Sequence, residues 1–388
     1  MQLPHLLQIA ALSGLLTMTS FSSASAADTD FQTVGLKDNM PSFYQALKAK
    51  LNFQMAWTPA VKDMAAWRKT GRDKMWELTL QSPDKTPFDA RIISEIDRGS
   101  YVARKVVFNL TAESRVQGIM LVPKGKGPFP AALMLHDHGS KFDIGKEKWI
   151  KTWDNDSRVT SSQGWADKFF SGRYPGDALA ERGYVVLALD ALGWGDRAAL
   201  TFEMQQAVAA NTFNLGSSMA GIMALEDARG ADFLASQPEV DKKKVAAVGF
   251  SMGAFRAWQV AALSDSITAA VVVNWMATTD GLMVPGNNQL KGSSAWNMLH
   301  PGVLRYLDFP DVASLAAPKP MLVFAGEKDP LFPVDSVKVA FGKMASVWGA
   351  WKATDKLDTR MLPGTHEYLK DTQEASFDWL DKQFGRAK

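Results

Sequence analysis

Residues Lys243 to Trp258 read KKVAAVGFSMGAFRAW, and the five letters Gly249-Phe250-Ser251-Met252-Gly253 at the centre decide how the chain is read. Val245 to Val248 is a short, wholly apolar run of the kind that forms a strand buried on both faces, and Ala254 to Leu263 has the make-up of a helix. Glycines two before and two after a serine at such a junction are what a very sharp turn requires. Neighbouring backbone lies so close at both positions that a Cβ has no room. The serine is then held in a sparsely populated conformation, its hydroxyl presented at the tip of the turn. The following helix aims its N-terminus at the same point, which places the Met252 N–H to stabilise a developing oxyanion. The bland alternative is a glycine-flanked corner with no chemistry. A base, an acid and a second oxyanion loop elsewhere in the chain would separate the two.

Outward from this turn, further apolar runs occur at Ala131–Leu135, Tyr184–Leu189, Ile267–Val273 and Pro320–Phe324, with helical segments such as Ser217–Ser236 between them. That alternation predicts an α/β fold around a mostly parallel central sheet with helices on both faces. Before it, Ala90–Ile96, Tyr101–Leu110 and Arg115–Val122 are β-rich and separated by turn residues, the pattern of an antiparallel start. A last helix is expected near Asp371–Phe384.

The 388 residues are 46% hydrophobic and 22% charged, with a formal net charge of +2. Lys242-Lys243-Lys244 is the longest basic run and reads as a solvated strand entrance, so no nucleic acid and no anionic membrane is expected as a partner. The chain has no cysteine, which excludes disulfides, thiolate metal sites, a cysteine nucleophile and a lipid anchor on cysteine. Leu6–Met18 is mostly apolar, and TSFSSASA then ends on the small-x-small pattern Ala24-Ser25-Ala26. A signal peptide over residues 1–26 and an exported protein, periplasmic or secreted, are expected, although no Lys or Arg precedes the apolar run. That run is too short to span a bilayer as a mature helix. Residues 27–88 read as a partly helical extension with Trp57, Trp67 and Trp76 as packing anchors, and residues 89–388 as the catalytic domain.

A serine hydroxyl needs a base within hydrogen-bond reach. With His5 in the expected signal, the candidates are His136, His138, His300 and His366. His366, in MLPGTHEY, follows the last apolar run and precedes the last helix, where this topology puts a base. The orienting acid should fall between serine and histidine, and Asp329 in MLVFAGEKDPLFP does, with Glu327 as a neighbouring alternative. LMLHDHGSKF, Leu133 to Phe142, closes the first parallel strand and is the expected second oxyanion loop, its donor near His138, Gly139 or Ser140. His136-Asp137-His138 also allows a metal, but no further histidine cluster accompanies it, so no metal and no cofactor are expected. Gly193-Trp194-Gly195-Asp196-Arg197-Ala198 imitates a dinucleotide fingerprint, yet it is set off from its strand, and that strand is not the first of the sheet. Arg256 reads as an ordinary helix-flank residue.

LHDHGSKFDIGKEKW, LAERGYVVLALDALGWGDR, QPEVDKKKVAAVGFSMGAFRA, AAVVVNWM and GEKDPLFP together resemble the acetyl xylan esterase-like, dienelactone-hydrolase-type branch of the α/β-hydrolase superfamily. The resemblance runs from about Arg91 to the C-terminus. It implies the α/β-hydrolase fold, Ser251 as nucleophile, His366 as base, Asp329 as acid, and hydrolysis of a small-molecule or carbohydrate ester through an acyl-enzyme. Dienelactone hydrolases themselves use cysteine, which this chain lacks. Trp149, Trp153, Trp165, Trp194, Trp275 and Trp296 fall on expected loops after strands, and Trp194 and Trp275 are the candidate platforms for a sugar ring. A peptidase of the prolyl oligopeptidase kind shares this topology, but residues 27–88 are too few for its β-propeller. A non-catalytic binding protein on the same fold is the third reading.

Overall fold

The computed structural model describes residues 35–286 and 295–386. The expected signal peptide lies outside the described residues. Nine strands join one sheet: β1 (Arg91–Asp97), β2 (Tyr101–Asn109), β3 (Arg115–Pro123), β4 (Phe129–Leu135), β5 (Val185–Leu189), β6 (Val240–Phe250), β7 (Ala269–Val273), β8 (Met321–Gly326) and β9 (Leu357–Leu362). Their spatial order is β9-β8-β7-β6-β4-β5-β3-β2-β1. The first three form an antiparallel meander that joins β5 antiparallel, while β4 to β9 run parallel.

Successive side chains of a strand point to opposite faces, so a strand covered on both faces must be apolar at every position. β4 shows this directly. Leu133 and Leu135 enter one core and Ala132 and Met134 the other, all of them buried. Helices α1 (Met64–Leu78), α4 (Met219–Ala235), α5 (Met252–Leu263) and α6 (Val334–Ala350) contribute to the first core. Helices α2 (Asp156–Phe169) and α7 (Lys370–Gln383) contribute to the second. Helix α3 (Phe202–Asn214) lies between β5 and α4 in the chain. α1 is begun by the Asp63 carboxylate, which accepts from the Ala66 N–H at 2.9 Å, and its Trp67 and Met75 are part of the first core. The described residues from Leu36 onward form one compact unit that includes most of the expected extension.

α5, the helix after Ser251, is buried along its whole length. Its C-terminal carbonyls are closed by basic side chains: Lys319 Nζ, its pKa pushed down to about 7 by burial, donates to Ala261 O at 2.8 Å and Ser264 O at 2.6 Å, and the Arg72 guanidinium donates to Leu263 O at 2.6 Å. Positive charge at a helix C-terminus offsets the partial negative charge of its free carbonyls. Arg256 corrects the sequence reading. It is no flank residue but is buried, bonding to the Asp227 carboxylate of α4 at 2.9 and 2.6 Å. Helical spacing shows which residues share a face, not whether a second helix covers that face.

Candidate active site

The turn between β6 and α5 has the expected construction. Ser251 sits at φ 56°, ψ −125°, outside the regions open to most side chains. A Cβ on Gly249 would lie 1.9 Å from the Gly253 carbonyl oxygen, and one on Gly253 would lie 1.8 Å from the Leu135 carbonyl oxygen. Both positions therefore require glycine. The strained serine is tied down by its own N–H, which donates to Val273 O at 2.9 Å, and its carbonyl accepts from Ala254 N and Phe255 N as the first turn of α5. Strain of this kind costs about 1–3 kcal/mol and survives where its surroundings over-determine it.

Asp329 lies just beyond β8, buried, in a turn whose N–H donates to Gly326 O at 3.2 Å. One carboxylate oxygen accepts from Leu331 N at 2.9 Å and the other lies 2.6 Å from His366 Nδ1. A carboxylate there keeps the proton on Nδ1 and leaves Nε2 as the acceptor. The ring is packed beside Phe250 at 4.9 Å. Glu327 is exposed, and it is Asp329 that meets the histidine. His366 and Ser251 border one cleft of about 240 Å³, with Gly139, Trp165, Phe169 and Leu331 among its walls.

The loop after β4 forms the facing wall. His136 Nδ1 pairs with Asp137 O at 2.8 Å, and its Nε2 accepts from Ala191 N at 2.9 Å. Burial, with Arg256 and Lys148 nearby, holds this imidazole well below its ordinary pKa. His138 Nδ1 accepts from Ser140 N at 3.2 Å, and its Nε2 bonds to Gln205 Oε1 of α3. Burial pushes it down to about 4. Both are neutral scaffolding whose ring nitrogens are bonded within the protein, and they do not converge as metal ligands. Gly139 and Ser140, at φ 58° and 54°, turn the chain past the cleft.

The carboxylates of Glu147, Asp190 and Asp196 do converge, within 4.8 Å of one another. The Lys146 ammonium sits among them at 3.0, 2.7 and 2.6 Å. Together with the Arg158 guanidinium, which pairs with Glu147 at 3.2 Å and Asp196 at 2.5 Å, it supplies the positive charge of the cluster. The fingerprint-like Gly193–Ala198 turn wraps this same network, with Asp196 N donating to Asp190 Oδ2 at 3.0 Å.

The two proposed sugar platforms are corrected by burial. Trp194 and Trp275 have no exposed surface. The Trp194 indole N–H donates to His138 O at 3.2 Å, and Trp275 is enclosed by Phe255, Phe309 and Phe332. Neither offers a ring face to a ligand: His138 and Phe142 of the loop after β4 pack on Trp194, and side chains from before and after it in the chain enclose Trp275. Trp165 is the tryptophan that borders the cleft. The sequence reading missed Lys148, which is buried against the Asp137–His138 backbone, and Gln205, which holds His138. A lysine inside the charged run Lys146-Glu147-Lys148 carries no signal of burial.

A parallel sheet in this order, with a strained serine after β6, an acid after β8 and a histidine after β9, defines an α/β-hydrolase fold. The abhydrolase family model matches residues 19–346, and the chain belongs to that family. YtaP of Bacillus subtilis (strain 168), named as a hydrolase, is 25% identical over 289 residues, covering 74% of this chain and 90% of YtaP. Among solved structures, a Bacteroides fragilis NCTC 9343 protein described as an acetyl xylan esterase superposes with a TM-score of 0.64 at 19% identity, over 87% of this chain and 84% of that one. A glucuronoyl esterase from Solibacter usitatus superposes with a TM-score of 0.61 at 15% identity, over 87% of this chain and 100% of that one. These two likenesses are of fold.

Proposed function

We propose that the protein is an exported serine carboxylic-ester hydrolase acting on short, acetyl-type esters of carbohydrates or small alcohols. The observation that carries this reading is the 2.6 Å Asp329–His366 pair, whose histidine borders the same cleft as Ser251. Ser251 attacks the ester carbonyl while His366 Nε2 takes its proton, and Asp329 stabilises the imidazolium that forms. The Met252 N–H, at the start of a buried helix, and the Gly139 N–H hold the oxyanion. His366 then protonates the leaving alcohol, and water repeats the cycle on the acyl-enzyme. The modest cleft, walled by Trp165, Phe169 and Leu331, favours a small acyl group. The acetyl xylan and glucuronoyl esterases of like fold make a carbohydrate alcohol or acid the first class to try.

A fluorophosphonate probe should label the wild type and leave Ser251→Ala unlabelled. On aryl esters from acetate to octanoate, acetylated xylan and a methyl glucuronate ester, turnover should be greatest for short acyl groups and absent in Ser251→Ala. An unlabelled wild type, or dipeptidyl amides cleaved as fast as aryl acetate, refutes the reading.

A further inference from the structure

We infer that Lys148 and Trp194 are positioning residues for the oxyanion hole, holding the His138–Gly139 peptide so that its N–H faces the Ser251 cleft. The inference rests on the esterase reading above. Lys148 is fully buried, and its Nζ lies 3.0 Å from Asp137 O, 3.1 Å from His138 O and 3.2 Å from Asp137 Oδ2. An ammonium has three N–H donors, and here three acceptors meet them. The Trp194 indole N–H, that side chain's one donor, reaches the same His138 O at 3.2 Å. The His138 carbonyl thus receives two donors from the protein interior.

A trans peptide points its N–H opposite to its C=O. Among the described residues the cis bonds are Gly127–Pro128 and Ala317–Pro318, so the His138–Gly139 bond is trans. With its carbonyl pinned inward, its N–H points the other way, to the side on which Gly139 borders the cleft with Ser251 and His366. The ammonium at the carbonyl end also polarises the peptide and makes its N–H a stronger donor. A third effect is charge. A Cβ on Gly139 would lie 2.4 Å from Asp137 Oδ2, so a carboxylate borders the oxyanion loop. Lys148 neutralises it where an uncompensated negative charge would oppose the oxyanion. Lys148 has no exposed surface and acts through the loop.

The test compares the wild type with Lys148→Met, Lys148→Arg and Trp194→Phe. It measures kcat and KM on an aryl acetate, and the Gly139 amide proton shift of 15N-glycine-labelled protein before and after phosphonylation of Ser251. Lys148→Met should lower kcat roughly 10²-fold with KM unchanged, the scale of a lost oxyanion donor. Lys148→Arg should recover part of the loss, and Trp194→Phe should lose about tenfold. The Gly139 amide proton should move downfield on phosphonylation of the wild type and less in Lys148→Met. A Lys148→Met enzyme with wild-type kcat, or a loss confined to KM, overturns the inference. If that variant does not fold, an unchanged kcat in Trp194→Phe or an unmoved Gly139 amide in the wild type does so. A wild type that is not phosphonylated at Ser251 refutes the esterase reading and this inference with it, whereas one that labels but ignores Lys148→Met refutes only the latter.

Discussion

Gly253→Ala puts the construction of the Ser251 turn to a quantitative test. The added Cβ would stand 1.8 Å from Leu135 O, 2.7 Å from Leu135 C and 3.1 Å from His136 C. All three are backbone atoms, so no side chain can rotate away. Real Cβ contacts do not fall below 3.0 Å, and the start of α5 must withdraw from the end of β4 by more than 1 Å. Little room exists for that movement, since α5 is buried throughout and its Phe255 and Trp258 pack on Trp275 at 5.0 and 5.9 Å. Overpacking against rigid backbone costs about 3 kcal/mol, the upper part of the usual range. The same displacement carries Ser251 and the Met252 N–H away from the loop that β4 feeds. A misplacement of about 1 Å at reacting groups is worth roughly 10²-fold in rate. Gly253→Ala should therefore lower kcat/KM on an aryl acetate about 10²-fold at a temperature where circular dichroism shows it folded, and lower its melting midpoint as well. Gly342→Ala is the control: it lies exposed on α6 with nothing within 4 Å of the added atom, and it should be neutral or slightly stabilising. Wild-type activity and midpoint in Gly253→Ala would refute the steric account of the turn.

Two other perturbations probe the interior. Burial pushes the Asp227 carboxyl up and Arg256 opposes that shift, so Arg256→Met strands a buried acid and should destabilise the fold by about 3–5 kcal/mol, measured by urea unfolding, with most of the loss recovered in Arg256→Met/Asp227→Asn; equal stability of wild type and single variant would show the pair to be unimportant. Burial also pushes His138 and His300 down to about 4 from 6.5, so between those values the unfolded chain binds more protons than the native one. Stability present in full above pH 6.5 should fall as the pH drops through 4, by about 3 kcal/mol for each histidine. Asp311, pushed up to about 6 by burial, acts with the opposite sign and offsets part of this. Urea midpoints that stay constant from pH 7 to pH 4.5 would refute the assignment of neutral buried histidines.

What could be read in the letters is what short-range physics decides. Ala131–Leu135 and Ile267–Val273 announced β4 and β7 because a strand covered on both faces has no polar position to spare. Ser251 was legible because the need for Gly249 and Gly253 is imposed by atoms within the turn and by the neighbouring strand end. Asp329 and His366 followed from chain order, and the structure brings them together at 2.6 Å. The start of β6 was less clear. The strand begins at Val240, five residues before the apolar run, because Asp241 to Lys244 lie where the sheet's cover thins and polar side chains reach water.

Burial of polar and aromatic groups was not legible, and the loop after β4 shows why. Lys146 and Lys148 stand two residues apart in one charged run, yet both are buried. One sits among Glu147, Asp190 and Asp196, and the other bonds Asp137 and His138. Asp190 and Asp196 reach Lys146 from a distant loop that the sheet order brings beside it, whereas the acceptors of Lys148 lie earlier in its own loop, where only the folded turn brings them within reach. Trp194 and Trp275 were misread for the same reason: a tryptophan beyond a strand end is a platform or an anchor according to what closes over it, here chain from outside its own loop. A side chain's role at this site is thus set by which backbone atoms it reaches. For Lys148 and Trp194 that atom is the carbonyl oxygen of His138, whose peptide carries the Gly139 N–H. The serine turn is a local device whose glycines stand in the letters themselves, whereas the His138–Gly139 peptide is held both by Lys148 of its own loop and by Trp194 of a distant one.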